Sequence, residues 1–258
     1  MIEINDPWEF NSLGIYNYKV QGPLDLFYNF IRSSHNSLPG NIVEVGVFNG
    51  RTLLATALLL RELNSSRIVY AYDSFQGFPD FPTEDNRLSI DLDDLSNFKY
   101  PEFSKEVIER VTRMRAIKQL YVNSNTPLST SNISTSKNFF TADFELLLRK
   151  IEFLGLSNIK FVKGFFAETM SEGNQHDGQI FAGFFDCDLY QSYKTALPFF
   201  WKNTVKGGMF YLDEYYSLKF PGAKLAVDEF IRDKKVQMVN GSGLPNDDFF
   251  RNALIKLE

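Results

Sequence analysis

The densest chemistry in this 258-residue chain lies in two groups of acids. Asp186-Cys187-Asp188 closes a β-type run over residues 179–186, and Asp213-Glu214, beginning 27 residues later, closes another over 209–213. A helical stretch at 190–200 separates them, so a parallel arrangement brings both groups to one edge of one sheet, on adjacent strands. Three or four carboxylates meeting there, with no Lys or Arg beside them in the chain, repel one another unless a hard cation sits among them. Oxygen-only ligands favour Mg2+, Ca2+ or Mn2+ over zinc. The competing account is that one acid of each group caps a helix or faces water.

Two earlier strand ends carry a different chemistry. The first reads Glu44-Val45-Gly46-Val47-Phe48-Asn49-Gly50. Gly50 can supply a tight turn that brings backbone close to a ligand, and Gly46 takes a side chain out of its path. The second ends in Asp73, 23 residues after Gly50, where an acid typically takes the two hydroxyls of a ribose. The glycines are spaced G-x-x-x-G, without the G-x-G-x-x-G diphosphate cradle, so a nucleoside lacking phosphate fits better than NAD. A Gly and an Asp after strands also arise for purely structural reasons. His35 and His176 sit in loop-like sequence, and Cys187 reads as a small apolar strand residue. The chain contains no G-x-S-x-G elbow, CxxC pair or HExxH helix.

The elements that must position these residues alternate. A helix over 22–33 stops at Leu38-Pro39-Gly40. A strand over 41–47, a helix over 52–63 and a strand over 67–75 make a β-α-β unit with parallel strands. Residues 79–141 break the rhythm with acidic, Pro-containing and then Ser/Thr/Asn-rich sequence around a helix at 105–120; this reads as a lid-like insertion. Alternation resumes with a helix at 143–154, strands at 158–164 and 179–186, and a helix at 190–200. Lys206-Gly207-Gly208 turns into the strand at 209–213, and a helix follows at 223–233. Two closing strands, 236–239 and 249–257, read as antiparallel. The expectation is one α/β domain over 1–258, a Rossmann-like, doubly wound and mostly parallel sheet with a C-terminal antiparallel hairpin.

Composition narrows the partners. Hydrophobic residues at 44% provide a real core, and 26 Phe with 12 Tyr make it aromatic-rich. A net charge of −5 argues against a nucleic-acid partner. No apolar run is long enough to span a bilayer. A single Cys and no signal-peptide pattern imply a cytoplasmic protein. The sequence leaves a homo-oligomer open.

Taken in order, several segments resemble the macrocin O-methyltransferase family, whose members methylate sugar hydroxyls. They are Pro39-Gly40-Asn41-Ile42-Val43-Glu44-Val45-Gly46-Val47, Asp73-Ser74-Phe75-Gln76-Gly77-Phe78-Pro79, Lys163-Gly164-Phe165-Phe166-Ala167-Glu168-Thr169, Asp188-Leu189-Tyr190-Gln191-Ser192 and Asp213-Glu214-Tyr215. The resemblance implies S-adenosylmethionine as donor, a divalent metal such as Mg2+ in the acceptor site, and an O-methyl product. By position it makes Asp186, Asp213 and Glu214 the metal ligands, with Asp188 an alternative, and Asp186 or Asp188 the proton acceptor. Glu44, Gly46, Gly50, Asp73, Ser74, Phe75 and Phe165 are the expected donor-binding residues, with Phe75 and Phe165 flanking the adenine. The Phe48-Asn49-Gly50-Arg51 loop departs from the paired glycines of many relatives, and the insertion cannot be matched. The expected acceptor is a small molecule or glycosylated compound with a sugar-like vicinal diol. The rivals are a catechol acceptor, a nicotinamide-dependent oxidoreductase, and a binding module that has lost turnover.

Overall fold

A computed structural model describes residues 2–79, 105–122, 125, 126, 128, 132, 139–240 and 251–258. The chain opens with helix α1 (Pro7–Leu13), which the sequence reading missed. Its signals are local: Pro7 at the first turn, and Glu9 Oε2 accepting the Asp6 N–H at 2.8 Å. Helix α2 (Asp25–Ser34), strand β1 (Asn41–Val45), helix α3 (Arg51–Glu62) and strand β2 (Val69–Asp73) follow. Helix α4 (Lys105–Gln119) lies within the expected insertion, much of which is outside the described residues. Helix α5 (Phe144–Leu154), strand β3 (Ile159–Lys163), a one-turn helix α6 (Phe166–Thr169) and strand β4 (Ile180–Phe185) come next. Helix α7 (Tyr190–Trp201), strand β5 (Thr204–Leu212), helix α8 (Gly222–Ile231), and strands β6 (Val236–Asn240) and β7 (Asn252–Lys256) complete the chain.

The sheet has seven strands in the order β3-β2-β1-β4-β5-β7-β6. The first five are parallel, and β7 lies antiparallel between β5 and β6. Lys206 to Gly208 is not a turn before a strand. The three residues lie inside β5, where the register against β4 jumps from Thr204 to Met209 and Gly207 takes φ 81°. The extra residues there form a bulge.

One face of the sheet is covered by α1, α2, α3 and α5 through Phe10, Phe27, Ile31, Leu53, Leu58 and Leu147. The other is covered by α7 and α8 through Tyr193, Leu197, Phe200, Ala223 and Val227. Both faces are therefore buried, and β4 (IFAGFF) is apolar along its whole length. No helix among the described residues is long and apolar enough to cross a membrane.

Candidate functional site

Register sets the site. Val45 pairs with Tyr72 on one side and Phe185 on the other, and Phe185 pairs with Leu212. The next residue on each strand, Gly46, Asp73, Asp186 and Asp213, therefore falls in one row along the carboxyl edge of the sheet. The chain winds outward in both directions from β1 and β4, so this row straddles the topological switch point, where open α/β sheets bind ligands. A cleft of about 230 Å³, open to solvent at its mouth, lies along it. Its walls include Gly46, Val47, Phe48, Asp73, Ser74, Phe165, Asp186 and Asp188.

At the β1–β2 end, Asp73 is held by main chain. Its Oδ2 accepts the N–H groups of Val47 at 2.6 Å and Phe48 at 3.0 Å, and its Oδ1 accepts that of Phe75 at 2.6 Å. Three donors fix the carboxylate and leave one lone-pair position, on Oδ1, that can serve a ligand at the cleft wall. Gly46 (φ 85°) is needed for a different reason from the expected one. A Cβ there would lie 1.8 Å from the Asp186 carbonyl oxygen, so the glycine permits the close approach of two strand exits. Gly50 (φ 76°) turns the chain into α3, as expected, but a Cβ there would strike Leu147, and the residue does not border the cleft.

Glu44 and Phe75 are also placed away from the cleft. Glu44 is 1% exposed, with Oε1 accepting the Thr52 hydroxyl at 2.7 Å and Oε2 without a partner. Burial, then the charges of Asp186 and Asp73, push its pKa well above the usual carboxylate range. The Phe75 ring is buried against Phe144 at 4.5 Å and Phe161 at 5.8 Å and does not border the cleft. Phe165 does line the cleft, together with Phe166 and Ala167.

At the β4–β5 end, one carboxylate oxygen each of Asp186, Asp213 and Glu214 lies within 4.8 Å of the others. Burial, and then Asp213, push Asp186 up to about 7. Burial followed by Asp186 raises both Asp188 and Glu214 well above the carboxylate range. Asp188 lines the cleft, is buried, and sits at φ 55°, a conformation that costs a non-glycine residue about 1–3 kcal/mol. Cys187 is buried beside it, just past the end of β4.

The expectation of no base near these acids is corrected. Arg251 Nε lies 2.7 Å from Asp213 Oδ1. Leu212 pairs with Asn252 across the antiparallel β5–β7 ladder, so the preceding Arg251 meets the following Asp213. Sequence gives no such register. With three ionised acids and one guanidinium the group carries two net negative charges, the complement of one divalent cation. The sequence reading also missed an aromatic wall: Phe139 stands edge-on to Phe48 and Phe78, each at 5.1 Å, and all three line the cleft. His176 is not a loop residue open to solvent. It is 3% exposed, its Nδ1 is 3.0 Å from the Tyr72 hydroxyl, and burial pushes its pKa down to about 4.

Solved methyltransferases superpose on this fold. The O-methyltransferase NovP superposes with a TM-score of 0.57 at 18% identity, covering 97% of this chain and 80% of that one. The TDP-rhamnose 3'-O-methyltransferase CalS11 superposes at 0.51 with 17% identity, covering 97% and 81%. The fold is the class I methyltransferase fold. The profile described as Macrocin-O-methyltransferase (TylF) matches residues 24–114 and 126–240, and the chain belongs to that family. It is similar to demethyldecarbamoylnovobiocin O-methyltransferase of Streptomyces niveus, 26% identical over 196 residues. That match takes in 76% of this chain and 59% of the relative, less than two thirds of the relative's length.

Proposed function

We propose that this chain moves a methyl group from S-adenosylmethionine to a hydroxyl of a sugar-like vicinal diol, with a divalent cation, Mg2+ first, held by Asp186, Asp213 and Glu214. The diol would belong to a nucleotide sugar, a glycosylated natural product or a polysaccharide precursor. The observation that carries this reading is the double position of Asp186, which both borders the cleft and belongs to the acid triad. The donor cleft and the cation site then share a floor.

The residues fit both groups. Asp73 is preset by three N–H donors and keeps one acceptor position for a ribose hydroxyl, and Phe165, Phe166 and Ala167 offer an apolar border for a base. When bound, the donor supplies an electrophilic methyl group. The triad offers hard oxygen ligands whose charge, after Arg251, matches a divalent ion. When bound, the cation lowers the pKa of a hydroxyl and orients a diol. Asp188, which lines the cleft beside the triad, or Asp186 would take the hydroxyl proton. The cleft aligns acceptor oxygen and methyl carbon, and such positioning can supply several kcal/mol.

The insertion 79–141 is proposed as a lid. Pro79 and Phe139, near its two ends, line the cleft, and Met114 of α4 packs on the Leu189–Phe220 pair beside it. CalS11 works on TDP-rhamnose, which agrees with a sugar acceptor here. The Arg251–Asp213 pair supports a second reading, in which the guanidinium alone offsets the acids and Asp186 and Asp188 act as a metal-free base cluster.

The test is a screen with methyl-labelled donor against vicinal-diol sugars and catechols, with Mg2+ and with excess chelator. Labelled sugar ethers that disappear with chelator support the main reading. Full turnover in chelator favours the second. Turnover of catechols alone overturns the sugar assignment.

A further inference from the structure

Tyr193 lies on α7 with its ring fully buried. Its hydroxyl reaches two places at once. It is 3.0 Å from the main-chain oxygen of Phe185, the last residue of β4, and 3.0 Å from Oε2 of Glu214, two residues past the end of β5. A phenol has one proton, and it faces two acceptors, a carbonyl and a carboxylate. It donates to one of them or shares the proton between them, and either way the hydroxyl sits between the two strand ends that carry the acids. The Asp188 N–H adds a weaker contact to the same Oε2 at 3.3 Å. Glu214 is thus gripped at one oxygen from the helix side, while one oxygen of its carboxylate lies within 4.8 Å of ligand oxygens from Asp186 and Asp213.

Packing alone does not require that hydroxyl. The ring neighbours Phe185, and the same buried cluster contains Leu197 and Phe200, where a phenylalanine would fill the space equally well. The polar atom is aimed at the most buried carboxylate of the triad.

We infer that Tyr193 is a positioning residue for the cation site, tying the end of β4 to Glu214 and holding that carboxylate in the orientation in which it joins Asp186 and Asp213. The inference rests on the cation reading proposed above. Partners that orient a metal ligand typically carry 10- to 100-fold in metal affinity.

The test uses the full chain and Mn2+ as the probe, followed by electron spin resonance titration. S-adenosylhomocysteine affinity and the thermal midpoint are measured alongside. Tyr193→Phe is expected to weaken Mn2+ binding at least tenfold, with S-adenosylhomocysteine affinity within about twofold of wild type. Replacing Tyr193 by 4-aminophenylalanine, which keeps a para donor, is expected to restore Mn2+ affinity to within about threefold. A folded Tyr193→Phe protein that binds Mn2+ like wild type overturns the inference and leaves the cation reading intact. So does a folded 4-aminophenylalanine protein that binds at least tenfold more weakly than wild type, and that variant decides the matter if Tyr193→Phe does not fold. Wild-type protein that binds no Mn2+ overturns the cation reading, and this inference with it.

Discussion

The two ends of the cleft treat their carboxylates in opposite ways. At the β1–β2 end, one acid, Asp73, receives three main-chain N–H groups. At the β4–β5 end, Asp186, Asp188, Asp213 and Glu214 crowd together with one guanidinium and one phenol among them. The first end has its carboxylate satisfied by main chain and offers it to a ribose hydroxyl. The second carries unresolved repulsion, which a cation or a proton relieves. A site that binds and a site that activates are thus built from the same residue type in different surroundings.

The largest effect that would sharpen this contrast is on turnover. Asp186→Ala is expected to lower methyl transfer by about 10³-fold, as loss of a positioned acid-base or ligand group does. Donor affinity, read by calorimetry with S-adenosylhomocysteine, should stay within a few-fold. Equal losses in both measurements would erase the division between the two ends.

Asp73→Ala should do the reverse. S-adenosylhomocysteine binding is expected to weaken by about 1–3 kcal/mol. The thermal midpoint should fall too, because the N–H groups of Val47, Phe48 and Phe75 lose their acceptor. Unchanged affinity in a folded variant would remove Asp73 from the donor site.

A smaller effect is on stability against pH. Asp186 titrates near 7 in the folded protein against about 4 unfolded, so the folded state holds the extra proton between those values. Stability is fully present below the unfolded value and is lost as pH rises through 7. From pH 6.5 to 8, Asp186 should cost the cation-free protein about 1 kcal/mol, of which His176, titrating near 4 when buried against 6.5 unfolded, returns about half. Asp186→Asn or added Mg2+ should abolish the Asp186 loss, as thermal melts would reveal. A slope that ignores both would break the account of the acid end.

The smallest expected change comes from Arg251→Met. Freeing Asp213 raises the net charge available to a cation, and Mn2+ affinity should rise about threefold. A fall would mean that Arg251 orders Asp213 for binding rather than competing with the ion.

Most of the fold was legible because its signals are local. The apolar runs of β1 and β4 and the turn at Gly50 into α3 sit where sequence places them. Helix α1 was equally legible from its Pro7 and Glu9, but its seven residues bury only Phe10 and leave little periodicity. The acids could be read as a group because parallel strands bring their exits to one edge. Arg251 and Tyr193 could not, since one depends on the register of an antiparallel strand and the other on the rotation of a helix. Glu44 and Phe75 stand beside the right motifs, but their side chains leave the strand ends toward the core. Proximity in sequence to a cleft does not say which way a side chain points.

The most direct test of the central claim is methyl transfer from labelled S-adenosylmethionine to a vicinal-diol sugar, run with Mg2+ and again with excess chelator. The account expects labelled O-methyl sugar in the first case, its loss in the second, and its return when Mg2+ is restored. Turnover undiminished by chelator would contradict it.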